Sequence, residues 1–380
     1  MKEIKLAIFP GHFLPHTGGL ETHVDELVKY LSRKNYKITI FTPNTENAKS
    51  DEVIHRKVRV IRYPAFFLIP NFPFPKFWKK EFYKQYKKLK EETPEIVMTR
   101  TRFFINSFMG LLYAKFRFKK KKLLHVEHGS DYVKLESKLK SFIAKIYDWT
   151  LGWSMFLFSD KVIAISEAVL SFCKKFTRKE IPIIRRGVDF EIYNEEKDRD
   201  IERKYRGKRK ILFLGRLYNW KGVANGVEAY KKLNEKDKSV YIIAGDGEDK
   251  ERLKELAKGE NIEFLGRVSF ERAIKLLNTA DIYLHSAYPG GGLSNSLLQA
   301  MYCKNLIVAS PHEGAREVVD ENKGILLKDN NVEEIKKGLE EALAYKGKGK
   351  QEAARKYIEE NFSWEQKAEE YDVEIRKLVS

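Results

Sequence analysis

Two cations and a run of three glycines in the second half of the chain have the types and spacing of a phosphate-binding site. Arg216 and Lys221 follow the apolar run ILFLG at 211–215, whose length and composition predict a buried parallel strand. The glycines at 290–292 precede a segment with helical periodicity. Backbone amides at the start of a helix bind anions, and glycine lets a diphosphate approach closely. We therefore predict that these two segments bind a diphosphate.

The elements that would position these residues are strands alternating with helices in both halves of the chain. Six apolar runs precede residue 165 and six follow residue 209, which predicts two parallel sheets wrapped by helices. The polar segment 194–210 is the expected domain boundary. We predict an N-terminal domain at 1–193, a C-terminal domain at 194–363 and a last helix at 364–380.

Composition agrees with two ordinary domains and excludes several other classes. The chain has 380 residues with 43% hydrophobic content, enough for two cores. It contains no apolar stretch of the roughly 20 residues that span a bilayer. The start MKEIKLAIFP lacks a signal-peptide pattern, and Cys173 and Cys303 provide neither a disulfide framework nor metal-ligand spacing. We expect a cytoplasmic protein.

The formal charge of +18 is unevenly distributed along the chain. Residues 1–200 contain 39 Lys and Arg against 24 Asp and Glu, a net charge of +15, which leaves +3 for residues 201–380. A basic half attracts nucleic acid, an anionic membrane or a phosphorylated substrate. High charge content of the kind found in heat-adapted proteins is an alternative explanation, although it does not account for the asymmetry.

The basic excess is highest in the segment Lys76–Lys90. At helical spacing Trp78, Phe82, Tyr86 and Leu89 form one stripe, and lysines occupy most of the remaining surface. An interfacial membrane helix has this pattern, and so does a surface helix whose aromatic stripe packs on the domain core. Both interpretations remain open, because burial and membrane contact use the same periodicity. An anionic membrane surface is thus one predicted partner of Lys76–Lys90.

Eight short segments in a fixed order resemble the retaining glycosyltransferases of the GT4 type, also called glycosyl transferases group 1. The resemblance covers nearly the whole chain, and its segments are PHTGGLETHV (15–24), EHGSD (127–131), AISEAV (164–169), RGVDFEIY (186–193), AGDGED (244–249), FLGRVS (264–269) and the pair LGRLYNWKG (214–222) with YPGGGLSNSLLQAM (288–301). It implies the GT-B architecture, an α/β fold in which two doubly wound Rossmann-like domains face each other across a cleft. In that architecture the domain at 1–193 would bind the acceptor, the domain at 194–363 would bind the nucleotide-sugar, and the last helix at 364–380 would return to the first domain.

The resemblance also implies roles for individual residues. Arg216 and Lys221 would stabilise the departing nucleoside diphosphate, and His128 would contact the donor sugar near the reacting centre as a hydrogen-bond partner. Residues implied to bind the donor are Gly18, Gly19, Gly266, Gly291, Gly292, Leu293 and Gln299. No metal site and no cofactor are expected, since the two cations would take the place of a divalent ion and the nucleotide-sugar is itself a substrate.

Two positions depart from the family pattern. The family carries two glutamates where this chain has Gly291 and Gln299. The Gln299 amide can still hydrogen-bond a ribose hydroxyl, without the additional strength of a charged partner. The loss of the first carboxylate removes a contact that would orient the transferred sugar. The chain is therefore either a transferase with an unusual donor preference or a relative that has lost turnover.

These observations together predict a glycosyltransferase of the hexosyltransferase type. It would move a sugar from a nucleotide-sugar to a glycan or lipid-linked acceptor, peripherally at the inner face of the membrane. Retention of the anomeric configuration is implied by the resemblance alone. One alternative is a sugar-nucleotide-binding or glycan-binding protein without catalysis. A nucleic-acid-binding protein is a further alternative that we do not favour, because the basic half contains no recognisable nucleic-acid-reading module.

Overall fold

The computed structural model describes residues 3–16, 18–69, 72–116, 120–132, 142, 145–289, 293–312 and 314–379. The chain divides into two compact units. Unit 1 contains the chain up to Gly187 together with the segment from Trp364 onward, and unit 2 contains Val188–Ser363. The sequence-based boundary at 193/194 lies six residues later. Residues 188–193 pack on unit 2, where the Val188 amide donates to the Phe362 carbonyl and the Phe190 ring stacks 4.5 Å from Tyr302.

Unit 1 is built on a mostly parallel sheet. Its strands are β1 Ile4–Phe9, β2 Tyr36–Asn44, β3 Asp51–Ile54, β4 Val58–Ile69, β5 Phe72–Pro75, β6 Ile96–Arg100, β7 Lys122–Glu127 and β8 Lys161–Ala164. Their order is β3-β4-β2-β1-β6-β7-β8, with β5 paired to β4. Among the strands that the structure describes in this unit, only β3 and β5 run antiparallel to their neighbour. All six strands predicted here are confirmed, whereas β3 and β5 were not predicted.

Helices cover both faces of this sheet. They are α1 Gly19–Ser32, α2 Lys80–Glu91, α3 Ile105–Lys115, a π-helical turn Asp148–Gly152 continuing into α4 Trp153–Phe158, α5 Glu167–Cys173 and, at the end of the chain, α14 Trp364–Arg376. On one face α1 and α14 pack together through residues such as Leu27, Trp364 and Tyr371. On the other face α2, α3 and α4 share a core cluster that contains Phe82, Leu111 and Met155.

The basic segment at 76–90 is helical only from Lys80. Phe82 and Leu89 are buried against the sheet and Tyr86 is partly buried, which confirms the interpretation of the stripe as a core contact. Trp78 lies before the helix and is 69% exposed. The lysines of the helix remain on the surface, so contact with an anionic membrane is still a prediction for them.

Unit 2 has a sheet of six strands, all parallel. Its strands are β9 Arg209–Leu214, β10 Ser239–Ala244, β11 Ile262–Gly266, β12 Ile282–His285, β13 Leu306–Ala309 and β14 Ile325–Leu326, in the order β11-β10-β9-β12-β13-β14. Its helices are α6 Arg199–Lys204, α7 Val223–Lys231, α8 Lys250–Leu256, α9 Phe270–Thr279, α10 Asn295–Tyr302, α11 Ala315–Val318, α12 Val332–Ala344 and α13 Gly349–Asn361. Hydrophobic clusters fill both faces of this sheet. The six predicted strands of this half are all confirmed.

Candidate functional site

The loops that follow β9, β10, β11 and β12 lie at one edge of the second sheet, because the carboxyl ends of parallel strands share an edge. Backbone hydrogen bonds join these loops to one another. The Leu217 amide donates to the Asp246 carbonyl at 2.9 Å, the Gly245 amide to the Gly266 carbonyl at 2.8 Å, and the Tyr288 amide to the Trp220 carbonyl at 2.8 Å. The Arg216–Lys221 segment is therefore held in place by its neighbours.

Gly222 fixes the end of this segment. Its φ is +66°, a left-handed conformation that favours glycine, and it is the N-cap residue of α7. A Cβ placed here would lie 1.9 Å from the Ser286 carbonyl oxygen. The Ser286 hydroxyl in turn donates to the Lys221 carbonyl at 3.1 Å. The loop after β9 can approach the end of β12 this closely only because residue 222 has no side chain.

Arg216 lies on the surface of this edge. Its side chain is exposed and, within the described parts of the chain, has no ion pair or hydrogen bond. Lys221 lies near His285, the last residue of β12. Burial, followed by the charge of Lys221, lowers the pKa of His285 to about 3. The neutral imidazole therefore adds no positive charge beside Lys221.

The structure describes three of the other donor-site residues predicted in the second half of the chain, and all three belong to unit 2. Gly266 ends β11 with φ +65°, and Leu293 packs against Gly314 in the loop after β13. Gln299 is half-buried on α10. The helix starts at Asn295 with Ser294 as its N-cap residue, and the Ser294 side chain makes no capping hydrogen bond. Gly291 and Gly292 lie outside the described residues.

His128 follows β7 in unit 1, in a loop shaped by the carboxylate of Glu127. The Glu127 Oε1 atom accepts the amides of His128 and Gly129 at 2.9 and 2.6 Å. Burial by itself would raise the pKa of Glu127, but the charge of Arg102 and a hydrogen bond from His125 lower it to about 2. The ionised carboxylate therefore holds the turn that presents His128.

Arg102 connects this turn to a second acidic group. Its Nη1 lies 3.1 Å from Glu127 Oε1 and its Nε 3.0 Å from Asp148 Oδ1, and all three side chains are fully buried. The Arg102 guanidinium also lies over the rings of Phe103 and Phe172, at 3.9 and 4.2 Å from their centroids. A buried arginine with two carboxylates satisfies its charge and orients the surrounding loops.

The His128 ring packs beside the first turns of α1. It lies edge-on to the His23 ring with centroids 5.2 Å apart, and His23 accepts a hydrogen bond from Arg100. Burial lowers the pKa of His128 well below 6.5, and the charge of Arg100 acts in the same direction. His128 is therefore neutral near pH 7. Its buried Nε2 atom has no hydrogen-bond partner among the described residues.

The two predicted glycines of α1 lie at the start of the same helix. Gly18 occupies the N-cap position in an extended conformation and Gly19 is the first helical residue. The Arg186 side chain donates to the Gly19 carbonyl at 2.9 Å and to Glu26 at 2.7 Å. The structure thus brings the glycine turn and His128 together around α1 in unit 1, while the Arg216 loop, Gly266, Leu293 and Gln299 belong to unit 2.

Sequence reasoning did not identify Arg100, Arg102 or Asp148. The sequence contains one signal, the two arginines of TRTR at 99–102, at the end of an apolar strand. Charged residues are rarely fully buried unless they are paired, so arginines at this position indicate partners elsewhere in the chain. Their partners come from β7, α1 and the π-helical turn. Such long-range pairs are not visible in a single sequence.

Two families match the chain, one in each half. The family described as "Glycosyltransferase Family 4" matches residues 17–192, and "Glycosyl transferases group 1" matches residues 194–363. An uncharacterized glycosyltransferase of Methanocaldococcus jannaschii is 50% identical over 392 residues, covering 100% of both proteins. The alpha-monoglucosyldiacylglycerol synthase of Streptococcus pneumoniae is 25% identical over 74% of this chain and 64% of its own length.

A solved structure shows the same fold. The Anabaena protein HepE in complex with UDP-glucose superimposes with a TM-score of 0.74 at 16% identity, covering 99% of this chain and 100% of that one. The half-by-half family matches and the full-length relative agree with this fold. The chain belongs to the glycosyltransferases of the group 1 and family 4 type, enzymes with the GT-B architecture.

Proposed function

We propose that this glycosyltransferase takes its sugar from a nucleotide-sugar whose diphosphate is bound by Arg216 and Lys221. The observation that carries the proposal is the exposed Arg216 guanidinium, which no described residue pairs, on a loop held by the β10 and β12 loops. A guanidinium forms forked, charge-assisted hydrogen bonds with phosphate oxygens. HepE, a protein of the same fold, is described in complex with UDP-glucose, which supports a donor of this class.

The proposed reaction retains the anomeric configuration and needs neither a metal ion nor a cofactor. An acceptor hydroxyl attacks the anomeric carbon on the face from which the diphosphate leaves, and a phosphate oxygen of the leaving group accepts the hydroxyl proton. The C–O bond to the diphosphate breaks with both electrons on oxygen. Arg216 and Lys221 stabilise the negative charge that develops there, which is the task a divalent ion performs in other transferases.

Within this proposal His128 is a hydrogen-bond partner of the donor sugar. Its lowered pKa supports a neutral imidazole, which can accept or donate a hydrogen bond without placing a positive charge beside the developing cation of the sugar. Gly18 and Gly19 contribute backbone amides at the start of α1. Gly266, Gly291, Gly292, Leu293 and Gln299 complete the proposed donor contacts.

We propose a glycan or a lipid-linked saccharide as the acceptor, and the cytoplasmic face of a membrane as the place of reaction. The +15 charge of residues 1–200 supports an anionic surface, and the named activity of the S. pneumoniae relative is the synthesis of a glycolipid. A binding protein without turnover is the second candidate, because Gln299 replaces a family glutamate. Nucleic acid is not among the partners we propose.

Product analysis tests the reaction. The protein is incubated with a nucleotide-sugar and lipid acceptors in the presence and absence of EDTA, and the anomeric configuration of the product is read by proton NMR. The proposal predicts a product with the configuration of the donor, formed at the same rate with and without EDTA. An inverted product would contradict retention, and loss of product in EDTA would contradict metal independence.

A further inference from the structure

Large apolar side chains are exposed along the helix formed by the π-helical turn and α4. Trp149, Trp153 and Leu157 recur at every fourth residue, and 54%, 40% and 44% of their surfaces are exposed. Phe158 at the end of α4 is also exposed and lies 6.0 Å, edge to face, from the exposed Phe116 at the end of α3. Single exposed apolar residues are common in proteins, whereas a cluster of this size marks an interaction surface.

This cluster lies on the same side of the first sheet as the basic helix α2. The helices α2, α3 and α4 share one core cluster on that side. Tyr86 of α2 lies 6.0 Å from Tyr113 of α3, and α3 in turn contacts α4. The outward-facing side of this layer therefore combines an apolar ridge on α4 with a cationic surface on α2.

The cations of this layer are available to an external partner. Among the exposed lysines of α2 and its N-terminal flank are Lys79, Lys80, Lys84, Lys87 and Lys90. Lys84 has one distant acidic neighbour, Glu81 at 3.9 Å, and such an exposed ion pair contributes little. A surface with this charge fits a polyanion better than a second copy of the chain, because a symmetric dimer through this face would bring two cationic helices together.

Tryptophan side chains are well suited to the boundary of a bilayer, because the ring is apolar and its N–H group can bond to water or a headgroup. We propose that the outer surface of α2, α3 and α4 docks on an anionic lipid bilayer, with Trp149, Trp153 and Leu157 inserted among the headgroups and the α2 lysines on their phosphates. Amphipathic surfaces bind bilayers through the sum of these two contributions. The inference rests on the proposed membrane location. Because the aromatic stripe of α2 is buried, the apolar residues that insert into the bilayer are those of the π-helical turn and α4.

Vesicle co-sedimentation tests the proposal, with vesicles of pure phosphatidylcholine and vesicles containing 30% phosphatidylglycerol. We expect at least about tenfold tighter binding to the anionic vesicles, since each lysine near the surface contributes about 1 kcal/mol. The double variant Trp153→Gln with Leu157→Gln should reduce that binding by about tenfold or more. Phe270→Gln is the matched control, because Phe270 is 50% exposed on α9 of unit 2 and should leave binding unchanged.

A second measurement does not depend on the folding of the polar variant. Brominated lipids should quench the tryptophan fluorescence of the wild-type protein, and Trp149→Phe with Trp153→Phe should reduce that quenching while vesicle binding persists. Trp78, which is exposed beside the α2 lysines, accounts for the remainder. Equal binding of wild type and polar variant, or absence of quenching, would overturn the proposal. A concentration-dependent dimer that the polar variant abolishes would also overturn it and would assign the face to self-association. The assay requires no turnover, so its failure is separable from failure of the proposed transferase function.

Discussion

At the scale of single residues, the arginines of the two units differ in their surroundings. Arg216 is exposed and available to a ligand, whereas Arg100 and Arg102 are fully buried and engaged by protein groups. The motif containing Arg216 could be identified from sequence because its spacing is local. The role of Arg102 could not, because Glu127 and Asp148 reach it from positions 25 and 46 residues away.

Replacing Arg216 with alanine should affect donor use and leave stability unchanged. Loss of one charge-assisted contact to the developing negative charge should lower kcat/KM for the donor by about 10²- to 10³-fold. The melting temperature should stay within about 1 °C of wild type, because the side chain is exposed. Arg203→Ala is the control, since Arg203 is 82% exposed on α6 of the same unit. Unchanged donor kinetics in Arg216→Ala would remove this residue from the proposed donor site.

Gln299→Glu tests whether this position faces the ribose of the donor. A carboxylate accepts a stronger hydrogen bond from a hydroxyl than an amide does, so donor affinity should rise about fivefold if the contact exists. Isothermal titration with the nucleoside diphosphate is the direct measurement. Unchanged affinity would indicate that Gln299 does not contact the ribose.

The buried histidines of unit 1 predict a loss of stability on mild acidification. Burial, followed by the charge of Arg100, lowers the pKa values of His23 and His128 well below 6.5. Below about pH 6.5 the unfolded chain therefore binds more protons than the folded one, and the free energy of unfolding falls with falling pH by up to about 1.4 kcal/mol per pH unit for each histidine. Above pH 6.5 this contribution is fully present.

Thermal unfolding between pH 5 and 7.5 measures this dependence. The variant His23→Asn keeps an acceptor for Arg100 but cannot be protonated in this range, so its melting temperature should vary less with pH than that of wild type. An identical pH profile for both proteins would show that His23 does not account for the acid sensitivity.

At the scale of elements, the parallel strands were the most predictable part of the molecule. Their short, continuous apolar runs are typical of strands covered on both faces, and all twelve predicted strands exist. The strands β3 and β5 were missed, because one is polar and the other is the proline-containing FPFP segment. The stripe of α2 could not be assigned from its periodicity, since packing on a core and insertion into a membrane require the same spacing.

The turn at Gly222 provides a test of how the loops of unit 2 hold the Arg216 segment. Gly222→Ala places a Cβ against the Ser286 carbonyl, so the segment has to move and donor kcat/KM should fall at least about tenfold. Gly207→Ala is the matched control, because φ at Gly207 is also positive, at +79°, and no described atom lies within 4 Å of the added Cβ. An alanine at positive φ lowers the free energy of unfolding by about 1 kcal/mol in both variants. A difference in donor kcat/KM between them therefore isolates the contact with Ser286.

At the scale of the whole molecule, the charge asymmetry in the sequence corresponds to a difference between the units. The excess of lysine and arginine belongs to the half of the chain that carries α2 and the exposed ridge of α4. The cations assigned to the donor lie in the nearly neutral half. Among the described residues, no helix is long and apolar enough to cross a membrane. The amphipathic surface and the cations proposed to bind the diphosphate thus belong to different units and can be tested independently.

We propose above all that the chain transfers sugar from a nucleotide-sugar bound through Arg216. The most direct test is a panel of nucleotide-sugars in which release of free nucleoside diphosphate is measured with and without lipid acceptors, for the wild type and Arg216→Ala. Thermal stabilisation by each donor is recorded in parallel. We expect at least one donor to stabilise the protein thermally. We also expect release of nucleoside diphosphate that depends on the acceptor, at a rate that Arg216→Ala reduces by about two orders of magnitude. Stabilisation without release under any acceptor would contradict the claim and would indicate a sugar-nucleotide-binding protein that has lost turnover.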